Sequence, residues 1–339
     1  MKLGVDTYSL RSLGWNAFEH LDYAREMDLD AVQFSERGYF ETLEESYLRE
    51  VKARADEFGL EVNVGMLSIC PTSTWFNDER GTAAEQLTEM IGVADIVGSP
   101  FVRCVLGGRA DRRTEQPLAT HITATVETCR SVRDVALATG VKVAIENHAG
   151  DLQARELRGL IEDAGPEYVG ACIDTGNAVW AGESPFVTLE HLAPYVVTSH
   201  IRDAAVWEHP LGAALQWLPM GDGTIGLDDW VREFERQCPN ASLTVEIIAG
   251  RPPQVLNYLE QEYWEAYPDT PASEFAQFVA LAKSGAPYMG SMLVADGGRG
   301  TDLPPEYEAA MTLQQRAHLD RSIRYCQDTL GIGEKRAKA

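Results

Sequence analysis

The sequence predicts an α/β fold in which eight βα units close into a (β/α)8 barrel. The chain of 339 residues is long enough, because such a barrel needs about 250 residues. Short runs rich in Val and Ile, apolar on both faces as buried parallel strands are, alternate with longer segments of helical period. Repeated βα units indicate a parallel sheet with right-handed crossovers, and eight of them favour closure into a ring. An open doubly wound sheet has the same alternation and is the alternative architecture.

The individual elements follow from these runs. The predicted strands span residues 2–7, 30–35, 60–66, 101–106, 142–146, 168–174, 195–200 and 242–247. The amphipathic stretches between them are predicted helices, and they include residues 16–27, 83–97, 122–138 and 154–164. Gly150 and Asp151 are turn and cap residues in front of the last of these helices. We interpret residues 1–339 as a single barrel domain.

Two long stretches interrupt the alternation. Residues 204–226 end in the turn-rich MGDGTIG and are predicted to form a loop after strand seven. Residues 251–305 follow strand eight, are rich in Tyr, Trp and Phe, and end in the glycine-rich DGGRGTD. A last helix over about residues 306–330 then closes the barrel. Long insertions in a compact domain are usually lids, binding surfaces or interfaces, so we expect both at the barrel mouth or at a subunit interface.

Charge and cysteine usage limit the classes of partner. A formal net charge of -23 at pH 7 repels nucleic acid and anionic membranes, which proteins bind through Lys and Arg. No run approaches the roughly 20 apolar residues that span a membrane, and the N-terminal MKLGVDTYSL has no signal-peptide pattern. The six cysteines form no CxxC pair, and several lie in apolar runs, which is typical of reduced thiols. We therefore expect a cytoplasmic protein that binds neither nucleic acid nor membrane.

Four consecutive predicted strands end in a residue that can bind a metal. Active-site groups of (β/α)8 barrels lie at the C-terminal ends of the strands. The first two steps between these residues are 28 and 26 positions, each close to one βα unit of roughly 30 residues. The 204–226 stretch accounts for the longer third step. If these residues are not helix caps or salt-bridge partners, they hold one divalent metal ion at the barrel mouth: Glu146, Asp174, His200 and Glu246.

This ligand set indicates a kind of chemistry. Three carboxylates and one imidazole suit Mn²⁺, Mg²⁺ or Co²⁺ better than a structural zinc, and we take Mn²⁺ as the expected cofactor. Four protein ligands leave two octahedral positions open, which a sugar can fill with a carbonyl oxygen and a neighbouring hydroxyl. Such a metal acidifies the intervening C–H and stabilises the enediolate that forms when the proton leaves. The motif therefore predicts proton transfer on a sugar.

Several residues beside the predicted ligands are candidates for catalysis or substrate binding. His148 follows the strand-five ligand by two positions, and an ordinary pKa of about 6.5 suits a general acid/base, although a surface histidine would also explain it. Arg202 follows the strand-seven ligand by two positions and would bind a substrate oxygen or pair with a neighbouring acid. Asn177 and Trp180 follow strand six and are predicted to contact the sugar. The Gly-Gly-Arg turn at 107–109 could bind an anion, and no nucleotide-binding glycine pattern is present.

At these motifs the chain resembles the sugar phosphate isomerase/epimerase family, the xylose-isomerase-like TIM barrels. The resemblance covers roughly residues 1–250 and rests on the segments VAIENH, CIDTGN, TSHIRD and TVEI. It implies a metal-dependent sugar enzyme. In the ketose 3-epimerases of the family the two ligand glutamates also move protons on either face of the sugar, and here these would be Glu146 and Glu246. The ligands that the resemblance implies are Glu146, Asp174, His200 and Glu246.

The chain also departs from those epimerases. It has His148 in the strand-five motif, Asp-Thr-Gly-Asn where many epimerases have a histidine after Asp-Thr, and the aromatic stretch at 251–305. In these features it is similar to the catalytic subunits of bacterial C-glycoside deglycosidases, which act on 3-oxo-glucosides with a small β-rich partner subunit. That likeness implies a divalent-metal-dependent carbon–oxygen/carbon–carbon lyase, in which His148 is the base or a proton relay for C2–H and the aglycone is eliminated from C1.

Other functions remain as alternatives to the lyase. The first is a ketose 3-epimerase or a keto-sugar or inositol isomerase that works through a metal-stabilised enediolate. A DNA-repair endonuclease shares this type of barrel, but the net charge of -23 argues against it. A non-catalytic binding subunit would not need the intact ligand set. We also expect an oligomer.

Overall fold

A computed structural model describes residues 1–295 and 303–337 of the chain. Its strands are β1 (Leu3–Asp6), β2 (Ala31–Phe34), β3 (Glu61–Ser68), β4 (Phe101–Val105), β5 (Lys142–Glu146), β6 (Val169–Asp174), β7 (Val196–His200), β8 (Asp203–His209), β9 (Gly212–Leu218), β10 (Leu243–Val245) and β11 (Gln254–Leu256). Strands β1 to β7 and β10 form one parallel sheet in which β10 lies beside β1. Each agrees within two residues at either end with one of the predicted strands.

The larger sheet closes into a ring. Strand β10 pairs in parallel with β1, with Leu3 opposite Leu243. On the other side, Ile201 directly after β7 forms a parallel bridge to Val245. The Ile201 amide donates to the carbonyl of Thr244 at 2.8 Å. Because both edges of the sheet are joined, the prediction of a (β/α)8 barrel is confirmed and the open sheet is excluded.

The helices surround this ring. They are α1 (Ala17–Glu26), α2 (Glu45–Glu57), α3 (Ala83–Val97), α4 (Leu118–Ser131), α5 (Arg133–Thr139), α6 (Ala154–Ala164), α7 (Thr175–Trp180), α8 (Pro185–Leu192), α9 (Leu227–Gln237), α10 (Gln261–Ala266), α11 (Ala272–Ser284), α12 (Pro305–Asp328) and α13 (Glu334–Ala337). Helix α3 has its predicted bounds because Thr82 and Glu85 form a capping box and Gly98 ends it in the left-handed conformation. Among the described residues, no helix has both the length and the apolar character needed to cross a membrane.

The helix predicted over 122–138 is wrong in its bounds. Two helices, α4 and α5, occupy this stretch and meet at Val132. The backbone of Val132 has φ -102° and ψ 3°, outside the helical region, and its amide donates to the carbonyl of Cys129, three residues back. The apolar period continues across this break, so the pattern of side chains alone did not reveal it.

The loop predicted over 204–226 is also wrong in its first half. Strands β8 and β9 form an antiparallel hairpin in which His209 lies opposite Gly212. Strand β11 adds to the other edge of β9, which gives a three-stranded sheet outside the barrel. The hairpin turns at Pro210 and Leu211, and Gly212 follows with a φ of 141°, which favours glycine. The turn-rich end of this stretch obscured the strands that precede it.

The aromatic stretch after β10 contains β11, α10 and α11, and its glycine-rich end at 296–302 lies outside the described residues. The stretch reaches back over the barrel mouth, because the Tyr267 hydroxyl donates to the carbonyl of Gly150 at 3.0 Å. Helix α12 then packs beside α1, where the Tyr23 hydroxyl donates to Asp320 at 2.7 Å. The predicted last helix is therefore present, with bounds shifted by one or two residues.

Candidate metal centre

Four side chains converge at the C-terminal ends of adjacent barrel strands. Each offers a ligand atom, and all four atoms lie within 4.8 Å of one another. All four residues are buried, and Glu246 is the most exposed of them at 6%. Cys172 lies near two of them, but burial raises the pKa of its thiol well above the ordinary value, so it stays neutral. The residues brought together are those that the sequence predicted: Glu146, Asp174, His200 and Glu246.

The imidazole of His200 has an orphaned nitrogen that faces this cluster. Its Nδ1 lies 3.1 Å from Glu146 Oε2 and 3.6 Å from Glu246 Oε2. Neither contact has the geometry of a hydrogen bond, so this buried nitrogen has no hydrogen-bond partner among the described residues. Its Nε2 lies 3.4 Å from Asp6 Oδ2, and the Gln33 side chain contacts the same nitrogen. A buried nitrogen left without a partner among carboxylates fits a metal ligand.

Two buried arginines contact the same carboxylates. Arg103 donates from Nε to Glu146 Oε2 at 2.5 Å, and its side chain is almost wholly buried. Arg202 donates from one terminal nitrogen to both Asp174 and Glu246. Its Nε and its other terminal nitrogen are buried without a partner among the described residues. Arg202 therefore lies against the ligand carboxylates and, with its unpartnered nitrogens, is able to bind a further oxygen.

The formal charges of this cluster do not balance. The three ligand carboxylates and the adjacent Asp6 carry four negative charges, and the two arginines offset two of them. Two negative charges remain when the imidazole is neutral. Burial lowers the pKa of His200, but the nearby carboxylates of Glu146 and Asp6 raise it to about 10 overall. Burial raises the pKa of Asp174 to about 7. Without a metal these shifts favour a protonated imidazole, whereas a metal ligand needs the neutral ring. With the neutral ring the cluster lacks two positive charges, which matches one divalent cation.

His148 lies at the edge of the same cavity. Its Nδ1 donates to the carbonyl of Gly107 at 2.8 Å, since a carbonyl oxygen can only accept. Its backbone amide donates to Asp151 at 2.9 Å, and the Trp75 ring packs edge-on at 5.1 Å. Burial lowers the pKa of His148 to about 4. This arrangement leaves the Nε2 lone pair free to take a proton.

Asn177 and Trp180 belong to α7, which begins directly after Asp174. The Asp174 side chain accepts from the backbone amide of Asn177 at 2.7 Å and caps this helix. The Asn177 side-chain amide donates to Glu146 Oε1 at 2.8 Å. Trp180 packs edge-on against Trp217, with 4.6 Å between the ring centroids. Asn177 therefore orients a ligand carboxylate, and Trp180 forms part of an aromatic wall.

A cavity of about 420 Å³ opens beside the cluster. Its size is typical of sites for drug-sized ligands rather than for one sugar ring. Its aromatic lining comes from Tyr8, Trp75, Trp180 and Trp217. The predicted site residues that line it are His148, Asn177, Trp180, Arg202 and Glu246.

Sequence reasoning missed several residues of the site. Asp6 ends β1 and Gln33 lies one residue before the end of β2, but both lie outside the four consecutive strands that carry the predicted ligands. Arg103 could be identified from the sequence, because a charged residue in the middle of the apolar run FVRCVL must have a buried partner. Trp217 lies in β9, where the sequence predicts a loop.

The family of this chain follows from comparison. Residues 21–266 match the model of the xylose isomerase-like TIM barrel family. That span is more than half of the chain, so the chain belongs to this family of enzymes, as the sequence predicted. A search of curated protein sequences finds no match.

Several solved structures share the fold. A D-psicose 3-epimerase solved in the presence of D-fructose is 15% identical, and the match covers 98% of this chain and 100% of that one, with a TM-score of 0.61. The 3-keto-D-glucoside 4-epimerase of E. coli is 16% identical over 79% of this chain and 98% of its own, with a TM-score of 0.56. The IOLI protein, solved with a zinc atom, is 15% identical over 83% and 95%, with a TM-score of 0.55. At these identities the likeness establishes the fold.

Proposed function

We propose that this protein is a divalent-metal-dependent lyase that acts on a 3-oxo-glucoside. In this reaction a base removes the proton from C2, beside the 3-carbonyl, and the aglycone leaves from C1. The observation that carries the proposal is the orientation of His148. Its ring is fixed through Nδ1 to the Gly107 carbonyl, so that the unprotonated Nε2 is available to the cavity beside the metal ligands.

The metal would be held by the four converging residues. The orphaned His200 Nδ1 and the deficit of two positive charges both fit a divalent cation. The oxygen-rich donor set favours Mn²⁺, with Mg²⁺ or Co²⁺ as substitutes. When bound, the ion supplies Lewis acidity that polarises the carbonyl and the adjacent hydroxyl of the sugar. The ligands in this proposal are Glu146, Asp174, His200 and Glu246.

The side chains of the protein would carry out the remaining steps. His148 Nε2 accepts the C2 proton, and the electron pair of that bond forms the C1–C2 double bond. The bond from C1 to the aglycone breaks, and the aglycone leaves with the electron pair of this broken bond and takes up a proton from water. The unpartnered nitrogens of Arg202 would stabilise the charge that develops on the sugar oxygens. Trp180 and Trp217 would bind the aglycone.

Glu146 is less suited to the role of base than His148. Its Oε1 accepts from Asn177, and its Oε2 accepts from Arg103. The positive charge of Arg103 overcomes the effect of burial and holds the pKa of Glu146 well below its usual range. The pKa of His148 is lowered too, so access and not basicity separates the two groups: both Glu146 oxygens accept hydrogen bonds, whereas His148 Nε2 has no hydrogen-bond partner among the described residues. The E. coli 3-keto-D-glucoside 4-epimerase supports the proposal in a general way, because its name places a 3-keto-glucoside on this fold.

The second candidate is a ketose 3-epimerase or keto-sugar isomerase. The specific observation in its favour is Glu246, which lines the cavity and has only Oε2 bound to a described side chain. A carboxylate with a free oxygen beside the metal ligands can move a proton by itself. The D-psicose 3-epimerase that matches over almost the whole chain supports this candidate in the same general way.

A turnover assay separates the two candidates. The protein is supplied with Mn²⁺, with and without a chelator, and is given a 3-oxo C-glucoside and a free ketose in parallel. Release of the aglycone that stops on chelation is the expected result. Conversion of the ketose alone would replace the lyase with the epimerase. The small β-rich partner subunit and the oligomer stay predictions, which size-exclusion chromatography and co-expression can test.

A further inference from the structure

The cavity beside the cluster differs in charge from the protein as a whole. The chain carries 52 acidic and 29 basic residues. Four arginines but only two glutamates line this cavity, namely Glu36, Glu246, Arg103, Arg109, Arg202 and Arg251. A cavity with an excess of cations in a strongly acidic protein attracts anions, because low-dielectric walls focus the local field.

The four arginines fall into two pairs. Arg103 and Arg202 are buried and already pair with carboxylates of the cluster. Arg109 and Arg251 have no carboxylate oxygen within 4 Å among the described residues. Many other arginines of the described chain do form such ion pairs, even exposed ones such as Arg232. The outer two arginines are therefore cations left available to a ligand.

Aromatic rings position these two outer arginines. The Arg251 guanidinium lies 5.7 Å from the ring centroid of Trp217 and 6.0 Å from that of Trp180. The Arg109 guanidinium lies 5.9 Å from the ring centroid of Tyr263. Contact with an aromatic face restricts a guanidinium without neutralising its charge. Arg109 follows β4 and Arg251 follows β10, which are four strands apart in the ring, so an entering anion meets positive charge from both sides.

We infer that the outer part of this cavity binds an acidic group on an aromatic aglycone, attracted by the positive charges of Arg109 and Arg251. The inference rests on the proposed function in one respect, because the sugar is taken to lie at the metal cluster. The volume of about 420 Å³ leaves room beyond one sugar ring. The tryptophan walls suit a flat aromatic group, and an unpaired guanidinium group suits a carboxylate.

Calorimetry with unreactive ligands tests this inference. 4-Carboxyphenyl β-D-glucoside and its neutral 4-carbamoyl analogue lack the 3-oxo group, so they bind without elimination. We expect the Mn²⁺-loaded protein to bind the carboxylate about tenfold more tightly. The preference should fall to about one in the double variant Arg109→Gln and Arg251→Gln, and each single variant should show part of the loss. Arg25→Gln removes an arginine that stacks on Phe58 and likewise has no ion pair among the described residues, so this variant should keep the full preference.

The outcomes separate this inference from the proposed function. Equal affinity for the two ligands, or a preference that survives in the double variant, would overturn the inference whatever the enzyme turns over. Glucose 6-phosphate and glucose form a second pair of ligands. A preference for the phosphate alone would show that the anion belongs to the sugar and would also overturn the aglycone assignment. If no 3-oxo-glucoside is turned over but the carboxylate preference is present, the proposed function fails and the anion site stands.

Discussion

Asp6 is a buried carboxylate behind the candidate metal centre. Its Oδ2 lies 3.4 Å from His200 Nε2, and its Oδ1 accepts from the backbone amide of Tyr8 at 2.9 Å. A carboxylate that holds the outer nitrogen of a histidine fixes the ring and strengthens the inner nitrogen as a ligand. Asp6→Asn should therefore weaken Mn²⁺ binding roughly 10–100-fold, as measured by calorimetry.

The matched control for this prediction is Asp30→Asn. Asp30 is also buried, but it lies at the opposite end of the barrel and accepts from the backbone amides of Leu3 and Glu334. This control should lower the free energy of unfolding and leave metal affinity unchanged. Equal metal affinities in wild type and Asp6→Asn would contradict the role of Asp6.

His148 separates the two candidate reactions. Gln at this position can still donate to the Gly107 carbonyl, but it has no basic nitrogen. For the lyase, His148→Gln should lower turnover roughly 10²–10⁴-fold while Mn²⁺ affinity stays the same. His209→Gln changes a histidine near the hairpin turn and should have no effect on turnover. Full turnover in His148→Gln would show that His148 is not the base and that a glutamate removes the proton.

The residues of the site differ in how far the sequence reveals them. Glu146 and Asp174 could be predicted because strand period and βα spacing identify strand ends, and this barrel type places its site there. Asp6 obeys the same rule, but only the fold shows that β1 lies beside β10 and thus next to the ligands. The contact of Arg103 with Glu146 depends on the register of neighbouring strands, which a single sequence does not specify.

Among the secondary structure elements, the β8–β9 hairpin shows where pattern reading fails. Its strands carry Ala, Val, Leu and Trp without a polar face, because β9 is buried on both sides. Strict alternation is therefore absent, and the turn-rich segment that follows favours a loop. The hairpin matters for the site because it holds Trp217, whose indole donates to the carbonyl of Gly176 at 2.9 Å. The barrel could be predicted from periodicity, whereas this wall of the cavity could not.

Helix α6 has an unusual cap. The backbone amide of Ala154 donates to the carboxylate of Glu183, which is buried and also accepts from the Thr188 hydroxyl at 2.6 Å. Burial outweighs these hydrogen bonds and raises the pKa of Glu183 to about 7. The folded state therefore holds a proton that the unfolded state releases above its ordinary pKa. The stabilisation that this bound proton gives is complete below the unfolded pKa and is lost as the pH rises through the folded pKa of about 7.

Glu183→Gln tests this linkage. Gln resembles the protonated carboxyl group, so the variant should lose the decline in stability with rising pH. At pH 8.5 it should be more stable than wild type, by up to about 3 kcal/mol, and at pH 5.5 the difference should be much smaller. Urea unfolding at both values measures this. Glu190→Gln, an exposed change on α8, should follow wild type at both pH values, and a Glu183→Gln curve parallel to wild type would refute the linkage.

For the whole molecule, the candidate metal centre predicts a link between metal and stability. A ligand that binds only the folded state stabilises it by about 2.7 kcal/mol at a concentration of about 100 times its Kd. Thermal unfolding should therefore move several degrees higher with Mn²⁺ and return to the original value with a chelator. Glu246→Gln should reduce this increase, because it replaces one ligand carboxylate by a neutral amide. The same increase in that variant would show that the stabilising metal binds elsewhere.

The pairing of β1 with β10 sets the order in which the site can form during synthesis. The candidate centre takes residues from β5, β6 and β7, from Glu246 just after β10, and from Asp6 at the end of β1. Strand β1 pairs on one edge with β10, which emerges from the ribosome some 240 residues later. A nascent chain shorter than that has an unpaired edge on β1 and an incomplete ligand set. Binding of the proposed metal would therefore be one of the last steps of folding, and it would report that the ring has closed.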